Sequence, residues 1–300
     1  MKQFLVTLFF AFAVLLGPFD SHAEIRSLTK SSDGLVWAGC GITKKAFMAD
    51  LAEAYEKKTG VHIDLQGGGA TKGIRGVNKG TINIGGACRA SMEFHKEERY
   101  VKQVPVAWDA IVFVVHENNP IGNITMDQVR AIYNGDITNW AQLGGVDKPI
   151  ELYVRESPIS GVGQTLRELV FNDTEKEFTR KAHIVKSSGP AEKAVEKIVT
   201  AMTATGVSSA KHRNVKILKV EGHDPSFDNI KEGRYMLYRP LYLVTKLSEK
   251  NPLVTDFIAY ATSEEGMEVI RQSGTVPYKD ALQLLSRHFR QYEKAIASGM

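Results

Sequence analysis

Leu35-Val36-Trp37-Ala38-Gly39-Cys40-Gly41 is a short apolar run that ends in a glycine turn, and the segment after it decides the fold. Phe47, Leu51, Ala54 and Tyr55 recur at helical spacing up to Lys57-Lys58-Thr59-Gly60. Glycine suits a helix C-terminus there, and the lysines suit its dipole. Val61, Ile63 and Leu65 then alternate with polar neighbours, as a half-buried strand does. Gly67-Gly68-Gly69 interrupts, and a short helical run starts near Ala70. Thr81-Ile82-Asn83-Ile84 reads as the next strand, closing on Gly85-Gly86-Ala87-Cys88-Arg89. Strand, glycine turn and helix therefore succeed one another in a fixed order, the alternation of a mostly parallel α/β sheet.

The pattern continues downstream. Ala110 to Val115 is the most strongly apolar strand, and Thr125 to Tyr133 reads as a helix with Thr125 as N-cap and Asp127 in its first turn. Glu151-Leu152-Tyr153-Val154 is a strand that delivers Arg155 into a loop ending Ser160-Gly161-Val162-Gly163, and a helix from Gln164 to Phe171 follows. Val215 to Val220 alternates, Leu241 to Val244 is apolar throughout, and Pro252 to Tyr260 and Glu264 to Ile270 are helical in pattern. The tail after Leu282 is charged and helical in pattern, with no chemistry assigned to it.

Lys2, the apolar run from Phe4 to Gly17 and the small-residue pattern Ser21-His22-Ala23 form the three parts of a secretory signal peptide. Cleavage after residue 23 leaves about 277 residues, enough for two lobes of about 100–150 residues each. A net charge of +4 is a weak hint of anionic ligands and lacks the concentrated basic face of a nucleic-acid binder, so no nucleic-acid partner is expected. In an oxidising compartment the two cysteines, Cys40 and Cys88, read first as one disulfide, and their spacing fits no metal or haem motif.

In an open α/β sheet, ligands sit beyond the carboxyl ends of the strands. Helix starts there present unpaired N–H groups and the positive end of the dipole, so several aimed at one spot make an anion site. Three loops qualify: Gly39 to Thr43, Gly67 to Lys72 and Ser160 to Gly163. Thr43, Thr71 and Ser160 offer hydroxyls, and Arg89 and Arg155 offer charge-assisted donors. A glycine turn alone is usually only a turn; the recurrence of the same loop type at equivalent places is what carries weight.

The segment Ala131-Ile132-Tyr133-Asn134-Gly135-Asp136-Ile137-Thr138-Asn139-Trp140, followed by Leu143-Gly144-Gly145, resembles the signature of the phosphate-binding substrate proteins of bacterial ABC transporters. Asn214 to Gly222, Asn229 to Tyr235 and Arg239-Pro240-Leu241-Tyr242 resemble it too, and the likeness runs from about Gly34 to Pro277. The resemblance implies a two-lobed type II periplasmic binding fold with two hinge crossings. One lobe would cover residues 24–116 plus 237–300 and the other 117–236. It implies inorganic phosphate or a related oxyanion as ligand, a membrane permease as partner, a periplasmic location, a monomer, no cofactor and no metal. Position by position, it assigns the ligand to Gly41, Thr43, Ala70, Thr71, Cys88, Arg89, Arg155, Ser160, Gly161 and Val162. The chain departs from the family where Cys40 and Cys88 stand in place of hydroxyls or a carboxylate, and where Val162 replaces threonine. The fold implied would bring Cys40 and Cys88 face to face, as a disulfide worth about 4 kcal/mol. The alternative is a pair of free thiols serving a periplasmic sensor of an oxyanion or of a thiophilic species such as arsenite. The histidines are scattered without metal-ligand spacing and no Gly-x-Ser-x-Gly elbow occurs, so an enzyme is not expected.

Overall fold

The computed structural model describes residues 34–92 and 94–298; the expected signal peptide lies outside the described residues. The chain opens with strand β1 (Gly34–Gly39), the short helix α1 (Gly41–Thr43), a wider turn of helix over Lys44–Met48, and helix α2 (Ala49–Thr59). Gly60 ends this run in the left-handed conformation at φ 76°, as its place after two lysines predicts. Strand β2 (His62–Gln66), helix α3 (Gly69–Lys79) and strand β3 (Ile84–Ala87) complete a parallel triplet, with β1 between β2 and β3. The strand expected from Thr81 starts only at Ile84. The Asn83 N–H still donates to the Val36 carbonyl at 3.0 Å, but the Asn83 side-chain oxygen takes the Val36 N–H at 2.8 Å in place of a strand carbonyl, and residues 81–83 form a bend.

Strand β4 (Val101–His116) is the spine of the molecule. Residues 101–110 pair antiparallel with the later strand β11 (Tyr238–Lys246), and residues 111–115 pair antiparallel with β8 (Ala201–Gly206). β4 thus changes partner between Ala110 and Ile111, inside the strand and ahead of His116. From Trp108 to Val115 its side chains are at most 1% exposed, which is why the stretch from Ala110 to Val115 is apolar without alternation.

The second half begins with β5 (Asn123–Ile124) and helix α4 (Met126–Asn134), whose N-cap Thr125 forms the expected cap and reciprocally donates its own N–H to the Gln128 side-chain oxygen. Strand β6 (Glu151–Arg155), helix α5 (Gly161–Leu166) with a wide turn over Arg167–Phe171, strand β7 (His183–Val185), helix α6 (Ser188–Lys197) and β8 form a second parallel triplet with β6 central. Helix α7 (Val207–Ala210), strands β9 (Val215–Ile217) and β10 (Lys219–Val220) and helix α8 (Phe227–Lys231) lead back to β11. β10 and β5 pair apart from the main sheet. Helices α9 (Pro252–Ala261) and α10 (Glu264–Gln272), strand β12 (Val276–Pro277) and helix α11 (Leu285–Ser298) finish the chain. The main sheet therefore runs β2-β1-β3-β11-β4-β8-β6-β7, with β9 and β12 also paired to β4. Two parallel triplets flank two antiparallel strands, so the carboxyl ends of β1, β3 and β6 face a common cleft.

The closeness of β1 and β3 is set by glycine. A Cβ on Gly86 would lie 2.1 Å from the ring of Trp37, and one on Gly39 would lie 2.4 Å from the carbonyl oxygen of Gly86. Both contacts are with rigid groups, so neither can yield. Gly86→Ala is expected to destabilise the fold by about 3 kcal/mol, read as a lowered midpoint of denaturant unfolding.

Candidate functional site

A cleft of about 660 Å³ opens where these strands end. Four helix starts reach it: Cys40-Gly41-Ile42 at α1, Gly67 to Thr71 at α3, Ser160-Gly161-Val162 at α5, and Ser187-Ser188-Gly189 at α6. Each contributes backbone N–H groups without intrahelical partners and the positive end of a helical run. The local sequence explains the approach. Gly68 and Gly69 hold φ 142° and 84°, which only glycine adopts freely, and Ser160 caps α5 by accepting the Gly163 N–H at 3.1 Å. Gly161 has its own constraint. A Cβ there would fall 2.2 Å from the Cys88 sulfur, so glycine lets α5 press its first turn against the end of β3.

Seven of the ten residues expected to bind the ligand line the cleft: Gly41, Ala70, Thr71, Arg155, Ser160, Gly161 and Val162. Arg155 projects from the end of β6, donating through Nη2 to the Lys186 carbonyl at 2.7 Å and through Nη1 to Ser188 at 3.4 Å. Its Nε is buried without a partner, which leaves a donor for a ligand. Burial lowers the Arg155 pKa, so an incoming anion would gain from pairing with it.

Thr43, Cys88 and Arg89 do not line the cleft. Thr43, the last residue of α1, is fully buried, its hydroxyl without a hydrogen-bond partner. Arg89 is 2% exposed and its guanidinium is committed elsewhere. Nη1 and Nη2 each donate to the Glu98 carboxylate at 2.8 Å, and Nε donates to the Ile159 carbonyl at 2.8 Å. Nη2 also reaches Thr71 Oγ1 at 3.2 Å. Burial alone would raise the Glu98 pKa, but Arg89 overrides it and holds the carboxyl below its ordinary value. Arg89 is thus a strut that ties the β3 loop to the loop before α5, and it has no free face for an anion.

The expected disulfide is absent from the structure. Cys40 and Cys88 are brought together as read, but as free thiols with their sulfurs 2.7 Å apart and sharing a hydrogen bond. The pair titrates unequally. The hydrogen bond from Cys88, opposed by burial, combines with Arg239 and the nearby N–H groups of Ile42 and Thr43 to lower the Cys40 pKa to about 7, while Cys88 is pushed well above the ordinary thiol value.

Sequence reasoning missed several residues. Lys45 and Arg213 line the outer cleft around the buried Glu192, which accepts from Thr205, Ser209 and Arg213 at 2.6, 2.6 and 3.0 Å. The α6 start was overlooked because β7 before it is three residues long and largely exposed, although Ser187-Ser188-Gly189 is itself a capping signal. Arg239 is 1% exposed on β11. Its Nη1 donates to the carbonyls of Cys88 and Gly161 at 3.1 Å each, and its Nη2 lies 3.4 Å from the carboxylate of Asp109. Asp109 in turn accepts from both the N–H and the hydroxyl of Ser208 at the start of α7. Among the described residues, no three His, Cys, Asp or Glu side chains gather in a way that would hold a metal ion.

Two α/β lobes sharing antiparallel crossing strands, with an anion-complementary cleft between them, define a type II periplasmic binding fold. A family model described as a PBP superfamily domain matches residues 30–265, and the chain belongs to that family. It is 27% identical to the phosphate-binding protein PstS of Borreliella burgdorferi, over 83% of this chain and 92% of that one. It is 28% identical to the PstS of Pseudomonas aeruginosa, over 77% and 79%. A solved Clostridium perfringens chain, described as a phosphate ABC transporter substrate-binding protein with bound phosphate, superposes with a TM-score of 0.75 at 29% identity, covering 81% of this chain and 99% of that one. An ABC-type phosphate transport receptor from Vibrio cholerae superposes at 0.63 with 27% identity, over 81% and 99%.

Behind α5, Glu168 accepts from Gln164 at 3.0 Å, and its burial raises its pKa from 4.5 to about 7. Because the folded value lies above the unfolded one, stability is full below about pH 4.5 and is lost as the pH rises through about 7. Glu168→Gln should remove that loss. The native chain is expected to fall by about 3 kcal/mol relative to the variant across that window, as measured by denaturant unfolding at a series of pH values.

Proposed function

We propose that this protein captures inorganic phosphate in the cleft between its lobes and presents it to the membrane permease of an ABC transporter. The observation that carries this reading is the convergence of four helix starts and the unsatisfied Nε of Arg155 on one cleft, in a chain similar to one solved with phosphate bound. Phosphate's oxygens accept from backbone N–H groups, and a bidentate arginine recognises two of them at once. We assign direct contact to Gly41, Ala70, Thr71, Arg155, Ser160, Gly161 and Val162. Thr43, Cys88 and Arg89 support the loops that bear those residues.

The lobe boundary fits best inside β4, between Ala110 and Ile111, with the return near Leu237; one lobe then covers 24–110 plus 237–300. Capture at the periplasmic face, by a monomer exported through its N-terminal segment, suits the relatives named above. The disulfide reading of Cys40 and Cys88 is compatible with that compartment, since a small rotation of either side chain would permit the bond. Neither the relatives nor the cleft chemistry favours an arsenite sensor.

Isothermal titration calorimetry with phosphate and sulfate tests the proposal. One site per chain with phosphate preferred is expected. Arg155→Ala should weaken phosphate by about a hundredfold, since it deletes charge-assisted bonds in a site shielded from water. Failure of the native protein to bind phosphate would overturn the reading.

A further inference from the structure

Cys40 and Cys88 have a geometry that a structural thiol pair does not need. Cys40 is the N-cap of a continuous helical run over residues 41–59 and lines the anion cleft, with 7% of its surface exposed. Cys88 lies beneath it, fully buried under Gly161, with its sulfur 2.7 Å from that of Cys40. One sulfur is therefore reachable from the cleft and the other is held in reserve behind it. Two buried polar groups near the pair have no hydrogen-bond partner, the hydroxyl of Thr43 and Nε of Arg239.

We propose that Cys40 and Cys88 are a redox-active dithiol in the floor of the cleft, converted to a disulfide by low-molecular-weight disulfides, and that the conversion raises the affinity of the cleft for its anion. Cys40, the cysteine that lines the cleft, is the attacking one. Its thiolate adds to one sulfur of the incoming disulfide, whose S–S bond breaks and whose departing thiolate takes up a proton. Cys88 then loses its proton to the second leaving group and attacks the sulfur of Cys40. The protein disulfide forms and the second small thiol departs. Two protein thiols are oxidised and one small disulfide is reduced to two thiols.

The coupling to anion binding is electrostatic and rests on the phosphate reading above. In the reduced protein the Cys40 thiolate occupies the helix start that an anion would use, beside the same N–H groups. The charged groups that act on the pair are Arg239 from β11, Asp109 from β4 and Arg155 from β6; Lys45, one turn along the helical run, is engaged with Ser209 and Glu192. With Cys40 titrating at about 7, the reduced cleft gains a negative charge as the pH passes through that value. A disulfide carries no charge at any pH. The ratio of reduced to oxidised dissociation constants should therefore be near unity at about pH 6 and about tenfold at about pH 8. Taking the ratio at each pH cancels phosphate's own ionisation.

The test treats the full chain with oxidised glutathione, records its intact mass, and titrates phosphate into reduced and oxidised protein at both pH values. Loss of two hydrogens without a lasting glutathione adduct is expected, together with the tenfold ratio at the higher pH and thiolate ultraviolet absorbance rising near neutrality in the reduced form only. Cys88→Ser should instead retain one glutathione adduct on Cys40, and that adduct, seated in the cleft, should weaken phosphate binding rather than strengthen it. An unreactive pair, a lasting adduct on the native chain, or equal affinities at the higher pH overturns the inference. If phosphate binds neither form, the phosphate reading fails, while the mass and absorbance still decide whether the dithiol is redox-active.

Discussion

The guanidinium of Arg239 is a full positive charge at 1% exposure, and leaving such a charge unpaired would cost several kcal/mol. The fold pairs it by bringing together groups from far apart in the chain: the carbonyl of Cys88 at the end of β3, the carbonyl of Gly161 and the hydroxyl of Thr165 in α5, and the carboxylate of Asp109 in β4. Removing any one of these would leave part of the guanidinium without a partner. The distance between the end of β3 and the start of α5 is thereby constrained, and with it the width of the cleft. Asp109 extends the chain of dependence to α7, through its two bonds from Ser208.

A second buried arginine works in the same way, tying the loop after β3 to the loop before α5. Arg89 is neutralised by Glu98 and holds the Ile159 carbonyl, so its charge is spent on architecture. What remains for a ligand is a set of backbone N–H groups, a few hydroxyls and Arg155. That division has a physical logic. Partial charges on fixed dipoles need no counter-ion when the cleft is empty, whereas several bare guanidiniums would repel one another. The outer cleft repeats the theme, with Lys45 and Arg213 balanced on the buried Glu192.

Cysteine at positions 40 and 88 changes the character of this site without changing its frame. A sulfur at a helix start ionises more readily than a hydroxyl, so a position that would offer a neutral donor near neutrality can here carry charge. The close contact of α5 with β3, which depends on glycine at 161, places the second sulfur where it stabilises that charge by donating to it.

Much of this was legible in the residues. The β1-turn-α1 and β3-turn order, the Gly60 cap and the Thr125 cap follow from local periodicity and capping chemistry, which are properties of a few neighbouring residues. The loops carrying Gly41, Ala70, Thr71, Arg155 and Ser160 were found for the same reason. Whether an arginine faces a cleft or a buried carboxylate is decided by partners far away in the chain, as Glu98, Asp109 and Gly161 show, and no local pattern announces it. Residues 81–83 were misread because one side chain, Asn83, took a hydrogen bond that a strand would have given to its neighbour. The sequence alone determined the succession of strands and helices and the anion-friendly loop chemistry, because both depend on short-range backbone preference. Only the tertiary structure decided which charges reach the cleft and how close two cysteines lie, because those depend on burial and on contacts between residues remote in the chain.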